Sequence, residues 1–269
     1  METDVGPKLE MIGSPGAGKT TLCERLAGIP DGGKGRLLGL QKALWLSLTR
    51  RLGDAWWRRV VRLIPSSIGE RNSPAIFMRT GDYSRAMATF CARNQALMRT
   101  VFAAQLPDAP DSKVCFWLLN MFAQYQFIDE KLEPGESLLL DEGFAQRAIT
   151  LFAYGPSIDT ELLERYANQI PLPEFLCVMT GRTEYHENRT MDRHSGPPER
   201  MRSLSLQARR TVYMQCDRIM DCIVPILERR GTAVIAVGSD SRPDDIAGRI
   251  LMAMQDGCPV RNPGAGVVQ

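Results

Sequence analysis

Apolar and polar positions along the chain alternate between two periods, short continuous apolar runs and longer helical stripes, and that alternation predicts an α/β domain. Leu9, Met11 and Ile12 form a first short strand. A helical run from Thr21 to Ala27 follows and stops near Gly28 and Pro30, which both disfavour helix. Residues 36–64 read as two amphipathic helices broken near Gly53, Ala75 to Met78 after Pro74 as a short strand, and Tyr83 to about Gln105 as a long helix capped by Asp82. Beyond Pro107 and Pro110, Asp111 or Ser112 caps a helix from Lys113 to about Lys131. Ser137 to Leu140 is a continuous apolar run, as in a strand buried on both faces of a parallel sheet. Helices are predicted over Phe144–Phe152 and, capped by Asp159, over Thr160–Gln169. Glu174 to Thr180 and Thr232 to Gly238 are two further strands. A long helix from Met201 to about Arg230 lies between them, and a last helix runs from Arg242 to about Gln255. The tail from Gly257 is rich in glycine and proline, as in a frayed end.

The first strand runs straight into Gly13-Ser14-Pro15-Gly16-Ala17-Gly18-Lys19-Thr20, which fits the phosphate-binding pattern G-x-x-x-x-G-K-[ST]. Glycines let the backbone curl with its N–H groups inward, and the helix start adds unpaired donors and a positive dipole end. Lys19 is expected to reach the β- and γ-phosphates of a nucleoside triphosphate and the Thr20 hydroxyl to sit on Mg2+, with Thr21 completing the nucleotide-binding stretch. Asp141 and Glu142 close the apolar strand at the end where parallel sheets place their ligands. Asp141 is the expected second metal ligand, and Glu142 the neighbouring acid. Arg182, Arg189 and Arg193 lie among Glu184, Glu187 and Asp192, with Gly196, Pro197 and Pro198 beyond; this stretch reads as a cover over bound phosphates or as an exposed, salt-bridged helix start.

Charge changes the picture locally, since the net charge of +2 over 269 residues argues for no polyanionic partner. Residues 36–64 carry Arg36, Lys42, Arg50, Arg51, Arg58, Arg59 and Arg62 against Asp54 alone, interleaved with Trp45, Trp56, Trp57 and leucines. Such a stretch packs inward with a solvated basic face, holds an anionic acceptor, or touches a membrane or nucleic acid. No DNA-binding motif is present. The seven cysteines are odd in number and show no C-x-x-C spacing, as expected of reduced, mostly buried thiols in a cytoplasmic protein. His186 and His194 lie in a polar loop without further ligands, against a zinc site. Met1 to Gly6 shows no secretory signal, and no apolar run is long enough for a membrane span.

The pattern resembles the P-loop nucleoside and nucleotide kinases, the group of thymidylate and adenylate kinases. The matching stretches are GSPGAGKT, LLLDEGFAQR, TGRTEYHENRTMDR and TAVIAVGSDSRPDDIAGRI, in that order. The resemblance implies a three-layer P-loop fold, a parallel sheet flanked by helices with a helical acceptor-side insertion and an arginine-rich lid. It divides a single domain into a phosphate loop and first helix (1–35), a helical insertion (36–131), the acidic strand and core (132–180), the lid (181–200), a closing helix–strand–helix (201–256) and a tail (257–269). It further implies that Arg189 and Arg193 act as lid arginines and that Arg147 faces the acceptor. The insertion is longer and more basic than in a simple nucleotide kinase, and the Asp-Arg acceptor motif of thymidylate kinases has no counterpart here. The expected activity is transfer of the γ-phosphate of ATP or GTP, with Mg2+, to a hydroxyl or phosphate acceptor whose identity the sequence leaves open. The alternative is a nucleotide hydrolase or switch without an acceptor, its basic helices on a membrane or polymer. A homodimer is compatible with either.

Overall fold

The computed structural model describes residues 6–29, 36–51, 65–105, 112–192, 196–238 and 242–256. In chain order its elements are β1 (Lys8–Gly13), α1 (Lys19–Gly28), β2 (Arg36–Gly39), α2 (Leu40–Arg51), α3 (Ser66–Met78), α4 (Gly81–Arg93), α5 (Gln95–Gln105) and α6 (Ser112–Asp129). There follow β3 (Glu136–Leu140), α7 (Phe144–Phe152), α8 (Thr160–Gln169), β4 (Phe175–Thr180), α9 (Thr183–Met191), α10 (Glu199–Arg202), α11 (Leu206–Arg229), β5 (Ala233–Gly238) and α12 (Pro243–Asp256). The chain divides into two units, one of residues 1–6 and 31–139, the other of residues 7–30 and 140–269.

In the second unit β4 pairs in parallel with both β1 and β5, in registers that set Gly13 opposite Met179 and Met179 opposite Val237. Parallel strands need crossover connections, and the intervening helices supply them. Leu9, Met11 and Ile12 of β1, Leu176 and Cys177 of β4 and Ile235 of β5 are fully buried, which a sheet covered by helices requires. Helix α11 packs on α7, α8, β1 and β5, and α1 packs on α12. Asp159 caps α8, accepting a hydrogen bond from the Leu162 N–H at 2.9 Å.

In the first unit β2 and β3 are parallel, Arg36 opposite Glu136, and α2, α3, α4 and α6 pack on one another. Phe90 of α4 stacks on Phe122 of α6 at 4.6 Å, and Phe77 of α3 lies 4.8 Å from Phe127. Arg50 makes two hydrogen bonds to the buried Glu136 (2.7 and 2.5 Å) and meets Glu133 at 3.1 Å; Arg51 pairs with Asp82. Burial pushes the Glu136 carboxyl up, but the hydrogen bonds from Arg50 and the Glu133 N–H, with the charges of Arg50 and Arg36, together outweigh it and the group ends below its usual range. In the described part of the basic segment, Leu44, Trp45 and Leu48 point into the core. The remainder, with the Gly53 break, Trp56, Trp57, Arg58, Arg59 and Arg62, lies outside the described residues, as do the loop 31–35, Pro107, Pro110, Asp111 and the tail from Gly257.

Several expectations are corrected. Residues 36–39 form a strand, not the start of a helix. Residues 75–78 complete helix α3 rather than a strand. Pro74 removes the N–H that would bond the Glu70 carbonyl, and the Ser73 hydroxyl donates to that carbonyl instead (2.8 Å), so the helix continues. Asp82 is not a cap: it lies in the first turn of α4, where burial beside Arg51 and Arg85 uses its charge, and Thr80 precedes the helix. The long helix that was expected to follow is two, broken at Asn94, whose backbone leaves helical values (φ −121°, ψ 42°). The helix expected from Met201 starts at Leu206, because Ser205 caps it through the Ala208 N–H (3.2 Å). Of the six described cysteines, all free, Cys177 and Cys216 are buried, whereas Cys23, Cys91, Cys115 and Cys222 are partly exposed rather than buried. Among the described residues no helix is long and apolar enough to cross a membrane.

Candidate phosphate-binding site

Strand β1 delivers Gly13 next to Met179, where a Cβ on Gly13 would stand 3.0 Å from Met179 Cβ and O. The chain then turns tightly, the Ala17 N–H donating to the Ser14 carbonyl (3.1 Å). Gly16 and Gly18 take left-handed conformations (φ +83° and +95°), which other residues resist. Helix α1 starts at Lys19 behind Gly18, with no side-chain cap and no acid in its first turn. Its leading N–H groups and positive dipole end are therefore not answered by a local carboxylate, as an anion site requires. Lys19 Nζ donates back to the carbonyls of Gly13 (2.5 Å) and Ser14 (3.1 Å), so the ammonium lies across its own loop. Pro15 is half-buried, Ser14 and Ala17 are buried, and Thr20 and Thr21 are exposed at the start of α1.

On the acidic side, Asp141 follows β3 in a turn and is half-buried. Burial, and then the charge of Glu142, push its carboxyl up, and Arg147 offsets this only weakly. It feels Cys23, one helical turn after Thr20 on α1. A hydroxyl on Thr20 and a half-buried carboxylate short of positive charge are a hard oxygen donor pair, which fits Mg2+. Among the described residues no group of three or more histidine, cysteine or acidic side chains could hold a metal, so such an ion would draw its other ligands from phosphate and water. Glu142 is 59% exposed and forms an ion pair with Arg147 (2.9 Å).

One buried acid escaped the sequence reading. Glu10, in the middle of β1, is fully buried, and its Oε1 accepts the N–H groups of Ala145 (2.5 Å) and Gln146 (3.1 Å) at the start of α7. It thereby caps from another element a helix whose preceding residue, Gly143, has no side chain to offer. A Cβ on Gly143 would clash with the Glu10 carboxyl, so glycine is needed there for close approach. The Gln146 side chain in turn accepts the Gly13 N–H (3.0 Å), which links Glu10, the start of α7 and the phosphate loop in one chain of hydrogen bonds. Burial pushes the Glu10 carboxyl up to about 8, against the backbone donors and Arg147. The available signal was an acid inside an otherwise apolar strand run, Leu9 to Ile12.

The arginine-rich stretch forms helix α9, which lies on the loop. A Cβ on Gly16 would clash with the His186 carbonyl and the Thr190 hydroxyl, and one on Gly18 would stand 3.2 Å from Arg189 Nη1. Arg189 also sits over the Tyr185 ring, 5.5 Å from its centre. Arg182 is exposed just before the helix, while Glu187 is buried and meets Arg210 at 3.6 Å. His186 is thus not in a polar loop: it is a buried residue of α9, and its Nε2 has no hydrogen-bond partner. Arg193 and His194 lie outside the described residues.

No family model matches the chain, and no curated protein matches it. Among solved structures it is similar to a deoxyadenosine kinase from M. mycoides with bound dCTP, at 7% identity over 93% of this chain and 99% of that one, with a TM-score of 0.39. It is also similar to a shikimate kinase from Acinetobacter baumannii in complex with shikimate, at 14% identity over 94% and 95% of the two chains, with a TM-score of 0.40. Likenesses this distant carry no weight beside the chain's own geometry. Parallel strands flanked by helices, with the glycine-rich loop joining β1 to α1, give the protein a P-loop α/β fold.

Proposed function

We propose that the protein binds a nucleoside triphosphate in the Gly13–Thr21 loop and transfers its γ-phosphoryl group to a small-molecule acceptor. The observation that carries this reading is the loop itself: two left-handed glycines, an uncapped helix start and Lys19 lying across it. Backbone N–H groups would bind the phosphates, and Lys19 would exchange its two carbonyl partners for β- and γ-phosphate oxygens. Arg189, already against Gly18, would neutralise charge on the transferring group. Thr20 and Asp141 would hold Mg2+, which would supply charge neutralisation to the phosphates. Glu142 would accept the proton of an acceptor hydroxyl as its oxygen bonds to the γ-phosphorus and the bond from that phosphorus to the departing nucleoside diphosphate breaks. Arg147 holds Glu142 at 2.9 Å and would orient it, or contact the acceptor directly. The second reading, a nucleotide hydrolase, is favoured by the solvent exposure of Glu142 (59%), which leaves the carboxylate open to water as well as to an acceptor.

The test is release of ADP or GDP from ATP or GTP with magnesium, measured with and without nucleosides, nucleotides, sugars and aminoglycosides, with Lys19→Ala as the blank. Stimulation by one acceptor class supports the kinase. Release that depends on Lys19 but on no acceptor moves the assignment to the hydrolase, and equal release by the blank removes both. Arg147→Ala should raise the acceptor KM or lower kcat while leaving nucleotide binding intact.

A further inference from the structure

We propose that His186 is a third cationic group of the phosphate site, neutral while the loop is empty and protonated when a polyphosphate fills it. The inference deepens the nucleotide-binding reading and rests on it. Helix α9 is set down on the phosphate loop through one face: the His186 carbonyl and the Thr190 hydroxyl meet Gly16, and the Arg189 guanidinium meets Gly18, so His186 shares a helix face (i, i+3, i+4) with the two side chains that touch the loop. His186 is 2% exposed, its Nε2 has no hydrogen-bond partner, and its electrostatic neighbours are Lys19 and Arg189, the two cations expected to take the phosphates.

In the empty site this arrangement keeps the ring neutral. Burial disfavours its charged form, and the positive charges of Lys19 and Arg189 push the same way, so its pKa lies below the ordinary histidine value. A bound triphosphate reverses the second cause, because its negative charge answers Lys19 and Arg189 and adds an attraction of its own. The orphan Nε2 then gains an anionic neighbour that rewards protonation. Other charged groups near α9 do not supply that reward. At the ends of α9, Arg182, Glu184 and Asp192 are exposed, and Glu187 meets Arg210 of α11. Also on α11, Arg209 donates to Met191 Sδ, and Asp217 lies beside Ser14.

The sign follows from linkage. A group whose pKa rises on binding takes up a proton at any pH between the free and bound values. Nucleotide affinity therefore increases as pH falls through that window, by up to about tenfold per pH unit. The experiment is calorimetric titration with the β,γ-imido analogues of ATP and GTP and magnesium, in buffers of differing ionisation enthalpy, at pH 6 to 8, on the wild-type protein and His186→Gln. Protonation of the nucleotide is common to both proteins and cancels in their difference. Wild-type uptake exceeding that of the variant by about half a proton or more supports the proposal. Equal uptake with binding retained overturns it and leaves the nucleotide site standing, whereas failure of the wild-type protein to bind either analogue overturns the site and the proposal together. A second measurement needs no change at His186. The chain has two histidines, so a His194→Gln protein shows a single imidazole signal by NMR, and its midpoint should move up when the analogue is added. A midpoint that stays put overturns the proposal.

Discussion

Glu10 offers a prediction independent of any substrate. Its carboxyl is fully buried and pushed up from an ordinary 4.5 to about 8. Between those values the folded protein holds a proton that the unfolded chain has released, so stability falls as pH rises and is fully present only below the unfolded pKa. Over the roughly three pH units from 5 to 8, at about 1.4 kcal/mol per unit, the loss approaches about 4 kcal/mol. Glu10→Gln keeps an acceptor oxygen for the Ala145 and Gln146 N–H groups and cannot titrate. The variant should match the wild-type protein to within about 1 kcal/mol at pH 5, apart from the cost of its unpaired amide, and gain on it steadily toward pH 8. Urea unfolding of both proteins at pH 5, 6, 7 and 8 reads the gap between them, in which all other titrating groups cancel. A gap that stays constant would mean that the start of α7 holds Glu10 ionised throughout, and would refute the reasoning.

Three further outcomes follow from the same geometry. Gly16→Ala forces a Cβ against the His186 carbonyl at a left-handed backbone position, so it should cost about 1–2 kcal/mol or more and abolish nucleotide binding, read by thermal shift with and without nucleotide. Arg50→Ala leaves the buried Glu136 without its two-pronged partner and should destabilise by about 2–3 kcal/mol at pH 7, less than for a fully buried pair because Arg50 is partly exposed. Because the Glu136 pKa is lowered, that contribution should be present above pH 4.5 and fade as pH falls through the lowered value, visible as converging unfolding midpoints of variant and wild type in acid. Asp159→Ala removes the cap at Leu162 and should cost about 1 kcal/mol by chemical denaturation.

The legible parts of this chain are those whose causes lie within a few residues. The phosphate loop is written in eight consecutive positions because glycine, lysine and threonine each answer a local demand of backbone shape or charge. Helices α7 and α8 match their expected limits, α8 because Asp159 bonds a backbone N–H three residues on. Expectations failed where the deciding partner is remote or unusually placed. Asp82 looked like a cap but answers Arg51, and the strand expected after Pro74 is helix, the Ser73 hydroxyl bonding the Glu70 carbonyl that proline leaves open. Of the positive charges in residues 36–51, those of Arg50 and Arg51 are likewise met from beyond that segment, by Glu133, Glu136 and Asp82.

The sequence by itself determined the parallel α/β class, the glycine-rich loop between β1 and α1 and the acidic turn after β3, since each depends on periodicity or on contacts between near neighbours. Tertiary structure decided that Glu10 would cap α7 from 135 residues away and that α9 would lie on Gly16 and Gly18. It also decided that His186 would be a buried neighbour of Lys19 rather than a loop residue. Helix docking brings those groups together, and the periodicity of a helix fixes which of its faces is apolar but not which partner that face meets.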